Sequence, residues 1–126
     1  MQNLLKSLTF KDGLVPAAIV DAKDRQLLTL CYMDEDALKR TLASGKIHVF
    51  RRSHGRVMKK GETSGHTQTV KEVRMDCAGN SLEFLVEQKV AACHKGYKSC
   101  YFQKYDPDTD SFEASGEKIF EPDNVY

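Results

Sequence analysis

Short apolar runs separated by polar, glycine-containing turns are the feature that most constrains the fold of this 126-residue chain. VPAAIVDAKDRQLLTLCYM predicts two strands, about Ala17–Val20 and Leu27–Tyr32, joined by a polar turn at Asp21–Arg25. KIHVF, TQTVKEVRMDC and YKSCYFQKY have the length and composition of further strands, and Arg56–Lys59 that of a short one. The length of SLEFLVEQ favours a strand, with a short helix as the alternative that periodicity alone does not exclude. Runs this short and this numerous predict a domain dominated by antiparallel β-sheet.

One segment has the features of a helix. Asp34 is a good N-cap, acidic residues follow it in the first turn, and Leu38 and Leu42 fall on one helical face. Gly45 suits the left-handed position that ends a helix. One clear helix beside many strands predicts an α+β fold, and the length predicts a single domain over residues 1–126. The end of the chain, from residue 105, is expected to be a turn-rich tail with apolar anchors at Phe112, Ile119, Phe120 and Tyr126.

Charge and hydropathy argue against several classes of partner. The net charge is +1, so no overall field attracts nucleic acid or an anionic membrane. No apolar run approaches the roughly 18 residues of a membrane-spanning helix, and the N-terminus lacks the cleavage site of a signal peptide. We therefore expect a cytoplasmic protein that binds neither membranes nor nucleic acid.

Three of the four cysteines, Cys77, Cys93 and Cys100, lie in polar company at turns or strand ends. Cys31 lies in the apolar strand LLTLCYM and is expected to be a small buried hydrophobe. In a reducing compartment, clustered cysteines favour a metal or catalysis over disulfides. Three thiolates leave one of the four tetrahedral positions of zinc open for water, as in catalytic sites. The spacing matches no common zinc finger, so three unrelated cysteines remain the alternative. A Cys93–His94 nucleophile pair is disfavoured, because neighbours in an extended segment point apart.

The segment FRRSHGRVMKKGETSGHTQ combines positive charge with a glycine-rich backbone. Basic side chains cluster just before the glycines, at Arg51, Arg52, Arg56, Lys59 and Lys60. Basic side chains and accessible backbone N–H groups suit a phosphate. A solvated basic hairpin is the alternative, whereas nucleic acid is disfavoured because no aromatic residues are interleaved. The patch suits a small phosphorylated ligand.

With these parts in view, the sequence resembles the phosphoribosyl-AMP cyclohydrolase family of histidine biosynthesis. It has RRSH, VMKKGETSGHTQ, DCAGN and ACHKGYKSCYF in the family's order and at its intervals, and CYMDEDALKRTLASG and IFEPDNVY are also similar. The resemblance covers nearly the whole chain. It implies a zinc hydrolase that opens the adenine ring of N1-(5-phosphoribosyl)-AMP between N1 and C6. The implied product is a formimino-aminoimidazole carboxamide ribonucleotide.

The resemblance also implies an intertwined homodimer, in which Cys77 of one subunit and Cys93 and Cys100 of the other hold each zinc ion. His94 is the candidate general base, because it adjoins a ligand and histidine exchanges protons readily near neutral pH. Its alternative role is to orient a thiolate or a phosphate. Lys60 is a candidate to neutralise charge as the ring opens, or to hold a phosphate. The other matched polar residues are assigned to recognition of phosphate, ribose and base: Arg52, Glu62, Thr63, Ser64 and Gln68.

The chain departs from the family's D-C-D-x-D motif, which is associated with magnesium. It keeps Asp76 as a candidate magnesium ligand but has Ala78 and Asn80 at the other two positions. A hard cation needs oxygen ligands, so two fewer carboxylates weaken such a site. Three explanations stay open: the enzyme works without tightly held magnesium, the substrate phosphates recruit it, or the substrate differs. Met58 also replaces a tryptophan, and His54 an arginine.

Two other functions compete with a cyclohydrolase. A related zinc hydrolase or deaminase would act on another nucleotide, although the H-x-E…P-C-x-x-C signature of zinc nucleobase deaminases is absent from this sequence. A zinc-bridged dimer would instead bind nucleotides without catalysis. Ammonia release would indicate deamination, and tight binding without turnover would indicate a binding protein.

Overall fold

The computed structural model describes residues 1–62 and 64–121. This part of the chain forms two helices and eight strands. The helices are α1 Gln2–Ser7 and α2 Glu35–Ser44; the strands are β1 Val15–Asp21, β2 Leu27–Met33, β3 His48–Arg51, β4 Arg56–Lys59, β5 Gln68–Met75, β6 Leu82–Gln88, β7 Gln103–Asp106 and β8 Ser111–Ala114. The predicted α+β class, mostly sheet, is confirmed.

A four-stranded sheet in the order β2-β1-β6-β5 forms the centre of the fold. β1 pairs antiparallel with β2, and β5 pairs antiparallel with β6. β1 and β6 run parallel, with Ala17 opposite Leu82. A parallel pair needs a long crossover, which the chain between β1 and β6 supplies. The sheet is therefore mixed, although most of its pairs are antiparallel as expected.

The hydrophobic core lies on the central strands and under α2. Val15, Ala17 and Ile19 of β1 are fully buried, as is Phe84 of β6, and α2 adds Leu38 to the same cluster. Burying an apolar side chain of the larger kind stabilises the fold by roughly 1.5–3 kcal/mol. The core thus fixes the strands from whose ends the polar loops extend.

Helix α2 begins and ends where its sequence predicts. The Asp34 carboxylate accepts a hydrogen bond from the Ala37 N–H at 2.7 Å. Gly45 has a φ of 75°, and its N–H donates to the Thr41 carbonyl at 2.9 Å. Glycine adopts this left-handed conformation without the steric cost of a Cβ atom. The prediction of this helix is confirmed at both ends.

Two hairpins lie outside the central sheet. β3 pairs with β4, which confirms the short strand expected at Arg56–Lys59. β7 pairs with β8, from Gln103 opposite Ala114 to Asp106 opposite Ser111. This second hairpin corrects two predictions, because only the end of YKSCYFQKY is a strand and the tail holds β8 besides turns. Phe112 and Ile119, expected to be anchors, are 65% and 40% exposed, Phe120 is partly buried, and Tyr126 lies outside the described residues.

Helix α1 was not predicted from the sequence. It has six residues, no side-chain cap and no buried residue, although Leu4 and Leu5 pack partly against the core. So short a helix has little intrinsic stability and leaves a weak sequence pattern. Neither α1 nor α2, in the part of the chain described, has the length and apolarity that crossing a membrane requires.

Candidate functional site

The segment Cys93–Cys100, called here the cysteine segment, is folded against the start of β2. The Cys100 N–H donates to the Leu28 carbonyl at 2.7 Å, and the Ser99 hydroxyl donates to the Leu27 carbonyl at 2.7 Å. The Cys93 and Cys100 side chains are close enough to hydrogen-bond to each other. The fold therefore brings together two of the three cysteines predicted to bind zinc.

The two thiols have different surroundings. Burial raises the pKa of Cys100, while a hydrogen bond from Thr29 lowers it in part. Cys93 is 4% exposed, and the Lys95 N–H points at its Sγ at 3.4 Å. Two adjacent sulfurs shielded from water suit a thiophilic cation such as zinc.

Cys31 has a different environment from the cysteine segment. Burial raises its pKa to about 12, and its Sγ donates to the Ala17 carbonyl at 3.6 Å. A thiol with so high a pKa keeps its proton at neutral pH and makes a poor metal ligand. Cys31 packs against the core as predicted for a small hydrophobe, although it is only partly buried.

Lys60 lies close to all three of these sulfur atoms, and its charge interacts with those of Cys31, Cys93 and Cys100. Burial lowers the pKa of Lys60, the positive charge of Arg51 lowers it further, and the sulfur atoms act in the opposite direction. An ammonium group with a lowered pKa gives up its proton more readily than a surface lysine does. Lys60 therefore lies beside the thiols with a lowered pKa, which suits an amine that stabilises negative charge or transfers a proton.

The first of two cavities at Lys60 has a volume of about 140 Å³. Its walls include Lys60, Glu62, Ser64 and His66, all from the segment that contains KGETSG. Ala92 also lines it and directly precedes Cys93. This cavity therefore joins the glycine-rich loop to the cysteine segment.

The second cavity has a volume of about 300 Å³ and lies against β2. Arg51 and Lys60 line it as well as the first cavity, together with Cys31 and Tyr32. The Arg52 guanidinium, also in its wall, lies 4.7 Å from the centroid of the Tyr32 ring, a cation–π contact that holds the arginine in place. Two cavities with basic walls thus meet at Arg51 and Lys60.

Two other predicted site residues, Gln68 and His94, line neither cavity. Gln68 is fully buried in β5, where its Nε2 donates to Gln88 Oε1 at 2.6 Å. Thr63 lies outside the described residues. His94 is exposed in the turn after Cys93, unlike its buried neighbour. Substrate contacts for these three residues stay predictions.

Sequence reasoning assigned no role to His66, which lines the first cavity, and named Arg51, which lines both, only as part of the basic patch. Both residues lie inside the FRRS and SGHTQ motifs, next to residues to which the sequence analysis assigned a binding role. A basic or imidazole side chain that flanks a phosphate-binding loop is a candidate by position alone. Gln88 was also missed, and its contacts are described below.

Cys77 is exposed and lies at the other end of the sheet from the cysteine segment. β5 pairs with β6 so that Cys77 follows the end near Leu82, whereas Cys93 follows the end at Gln88. The eight residues of β5 separate these ends by roughly 25 Å. Within residues 1–62 and 64–121, no three histidine, cysteine or acidic side chains are grouped to hold a metal. One chain therefore brings together two of the three cysteines predicted to bind zinc, and the third lies apart from them.

The Asp76 carboxylate closes its own turn. Its Oδ1 accepts hydrogen bonds from the Ser81 N–H at 3.0 Å and the Asn80 N–H at 2.7 Å, and these bonds lower its pKa. Ala78 offers no side-chain oxygen. Magnesium demands near-octahedral oxygen ligands, and the residues of this turn do not fit that requirement.

Comparison with known proteins gives a consistent assignment. The family model described as Phosphoribosyl-AMP cyclohydrolase matches residues 29–102, which include both cavities and the cysteine segment. A phosphoribosyl-AMP cyclohydrolase of Methanosarcina acetivorans is 44% identical over 122 residues, 97% of this chain and 98% of that protein. One of Methanocella arvoryzae is 46% identical over 117 residues, 93% and 94% of the two chains.

A third relative, a histidine biosynthesis bifunctional protein of Thermoanaerobacter pseudethanolicus, is 39% identical over 127 residues, which cover 100% of this chain and 58% of that protein. The matches confirm the family expected from KGETSG and ACHKGYKSC, and with it the expectation of an enzyme. The family model matches more than half of the chain, and the first two relatives match it over nearly their full length. The chain therefore belongs to the phosphoribosyl-AMP cyclohydrolase family.

Proposed function

We propose that this protein is a zinc-dependent phosphoribosyl-AMP cyclohydrolase of histidine biosynthesis. In the proposed reaction, water adds to C6 of the adenine ring of N1-(5-phosphoribosyl)-AMP, and the N1–C6 bond breaks. The water oxygen stays on C6 as the carboxamide oxygen, N1 gains a proton, and no ammonia leaves. The product is the formimino-aminoimidazole carboxamide ribonucleotide.

One observation carries the proposal: Lys60 lies beside the Cys93 and Cys100 thiols and at the junction of two basic-walled cavities. The substrate has a matching layout, because its purine ring carries a phosphoribosyl group at both N1 and N9. Arg51 lines both cavities and Arg52 lines the second, so guanidinium groups are available to the phosphates. In this arrangement the purine ring lies beside Lys60 and the sulfurs.

We propose that Cys93 and Cys100 of one copy and Cys77 of the partner subunit hold the zinc ion. Zinc accepts thiolates in a tetrahedral arrangement, and the two neighbouring sulfurs provide two of its positions. Cys77 lies too far along β5 to join them in its own chain, which is why a homodimer is needed. When bound, zinc would lower the pKa of water, so that hydroxide is available at neutral pH.

The exposed β7–β8 hairpin supports the presence of a second copy. Isolated two-stranded hairpins are at best marginally stable in water, yet β8 is exposed along its whole length and β7 along most of it. The Tyr105 and Phe112 rings pack together with centroids 5.3 Å apart, and Phe112 remains 65% exposed. A partner surface over these rings would bury them and stabilise the hairpin.

We assign the proton and charge steps to His94 and Lys60. His94, next to Cys93, accepts a proton from the attacking water. Lys60 stabilises charge on the ring as the N1–C6 bond breaks and provides a proton for N1, which its lowered pKa makes easier. Glu62 and Ser64, in the wall of the first cavity, contact the ribose or phosphate on that side.

Asp76 is assigned no magnesium ion. Both hydrogen bonds to its Oδ1 would compete with a cation, and Ala78 supplies no ligand. Any effect of magnesium on the reaction would therefore act through the substrate phosphates.

The direct test is incubation of the zinc-loaded protein with phosphoribosyl-AMP, with and without magnesium, while the absorbance change of ring opening and the release of ammonia are followed. We expect ring opening without ammonia. Ammonia release would identify a deaminase instead. Tight nucleotide binding without turnover in any metal would identify a binding protein, and either result contradicts the proposal.

The role of His94 has its own test. His94→Ala should lower turnover while the zinc content stays intact, because the imidazole moves a proton and does not hold the metal. Turnover and zinc content are measured on the same preparation. Loss of zinc from His94→Ala would show that the residue is a ligand or a structural support.

A further inference from the structure

Gln88, the last residue of β6, contacts two separate segments of the site through its side-chain amide. Its Nε2 lies 3.0 Å from the Lys89 carbonyl oxygen and 3.3 Å from that of Ala91, in the turn that follows β6. It also lies 3.3 Å from the His66 carbonyl oxygen and 3.4 Å from that of Thr67, in the segment after KGETSG. One amide group thus connects the two segments that enclose the first cavity.

The orientation of this amide follows from its neighbours. Four carbonyl oxygens surround one end of the group, and only the NH₂ end can donate to them. The other end, Oε1, accepts a hydrogen bond from the Nε2 of the buried Gln68 at 2.6 Å. Turning the amide over would set an oxygen against four acceptors, which is unfavourable. The bridge therefore depends on an amide and cannot be made by a carboxylate.

The turn after β6 contains a strained residue. Val90 has a φ of 67°, in the left-handed region that β-branched residues rarely adopt. Such conformations persist only where surrounding contacts fix them, and they cluster at functional sites. The two carbonyls that Gln88 contacts in this turn, those of Lys89 and Ala91, stand on either side of Val90. Gln88 is thus placed to hold the strained conformation.

We infer that Gln88 is a positioning residue for the zinc site, an inference that rests on the proposed function. By holding the turn at Lys89–Ala91, it sets the direction in which the chain leaves β6, and hence the place of Cys93 relative to Lys60. Gln88 acts through the backbone of the turn rather than through contact with the thiols. Removing its amide should therefore loosen the turn and weaken zinc binding.

Gln88→Met tests this, because methionine keeps the length of the side chain and removes its hydrogen bonds. Gln26→Met, the same change at an exposed position, is the control. In the metal-free protein, the amides of residues 89–93 should exchange hydrogen about tenfold faster in Gln88→Met, the effect of losing roughly one hydrogen bond. Amides of β1 should exchange at the wild-type rate. Zinc affinity, measured by competition with a chromogenic chelator, should fall about 10–100-fold.

Val90→Gly separates positioning from general destabilisation. Glycine adopts a φ of 67° without strain, so a turn with glycine needs the Gln88 contacts less. Adding Val90→Gly to Gln88→Met should restore most of the lost zinc affinity. If Gln88 only supported the fold, the more flexible glycine would deepen the loss.

Three results would overturn the inference: unchanged zinc affinity in Gln88→Met, faster exchange spread evenly over the sheet, or a deeper loss on adding Val90→Gly. If the wild-type protein and Gln26→Met also bind no zinc, the proposed function itself fails and the inference with it. The controls therefore distinguish the two failures.

Discussion

The cysteine segment and the Asp76–Asn80 turn both carry predicted zinc ligands, but the two segments differ in burial and in hydrogen bonding. The first is hydrogen-bonded to the start of β2, and its two sulfurs are shielded and adjacent. The second is exposed at the far end of β5, and its Asp76 carboxylate accepts hydrogen bonds from backbone N–H groups of the same turn. The contrast teaches that one chain completes its core but brings together only two of the three cysteines predicted to bind zinc.

The largest expected effects come from replacing one cysteine on each side of this contrast. Cys93→Ser and Cys77→Ser should each remove zinc and lower activity by more than about 100-fold. Replacing a residue that only hydrogen-bonds a metal ligand costs up to about 100-fold, and replacing the ligand itself should cost more. In the metal-free protein, only Cys93→Ser should lower Tm, because it places a hydroxyl in a buried site at a cost of about 1–2 kcal/mol. Zinc content, kcat/KM and thermal melting of both variants measure these effects.

Cys31→Ala is the control for both cysteine variants. It should keep the zinc content of the wild-type protein, since Cys31 holds its proton and lies in β2. Equal destabilisation of the metal-free protein by Cys93→Ser and Cys77→Ser would remove the contrast between the two regions.

The fold could be predicted where it depends on local chemistry. Asp34 and Gly45 set the ends of α2, and the β1 and β2 strands follow from apolar runs. Strand partners could not be predicted, because the pattern of β1 does not reveal that β6 is its parallel neighbour. β8 was missed because all of its residues are exposed, and periodicity reports burial rather than pairing.

The contents of the site could be predicted, but not its geometry. The motifs named Lys60, Cys93 and Cys100, which the fold brings together. The motifs could not show that Cys77 lies at the opposite end of the β5–β6 pair from Cys93, since that depends on strand register. Gln88 was missed because a glutamine at a strand end is usually a surface residue, and its four carbonyl partners come from separate segments.

A smaller effect is expected from the partly buried cation on the cysteine side, Lys60. Burial lowers the pKa of Lys60, so the unfolded chain holds this proton more tightly than the folded chain. Below the folded-state pKa the charged amine therefore destabilises the fold, and this cost declines as pH rises from that value to the ordinary lysine pKa of 10.5. Lys60→Met should raise Tm by a few degrees at neutral pH while activity falls.

Lys39→Met, an exposed lysine on α2, is the matched control and should leave both Tm and activity close to wild type. Thermal melts at neutral pH measure the difference between the variants. A lower Tm for Lys60→Met would show that the ammonium stabilises the cysteine side instead.

The smallest effect concerns the ion pair that ties the cysteine segment to the β1–β2 turn. The hydrogen bond from Lys98 holds the pKa of Asp24 below its ordinary value of 3.8. A lowered carboxyl pKa contributes stability above that ordinary value, and this contribution is lost as pH falls through the folded-state pKa. The difference in Tm between wild type and Asp24→Asn should be largest at neutral pH and shrink below about pH 4. A difference that does not change with pH would exclude this ion pair as its source.

The most direct test of the shared site is to mix two inactive variants, Cys77→Ser and Cys93→Ser, after unfolding and refolding them together. If the site takes Cys77 from one subunit and Cys93 from the other, each mixed dimer has one intact site and one doubly damaged site. Half of the dimers are mixed, so activity should return to about one quarter of the wild-type value. No recovery from the mixture, although refolded wild-type protein regains its activity, would contradict a site built from two chains.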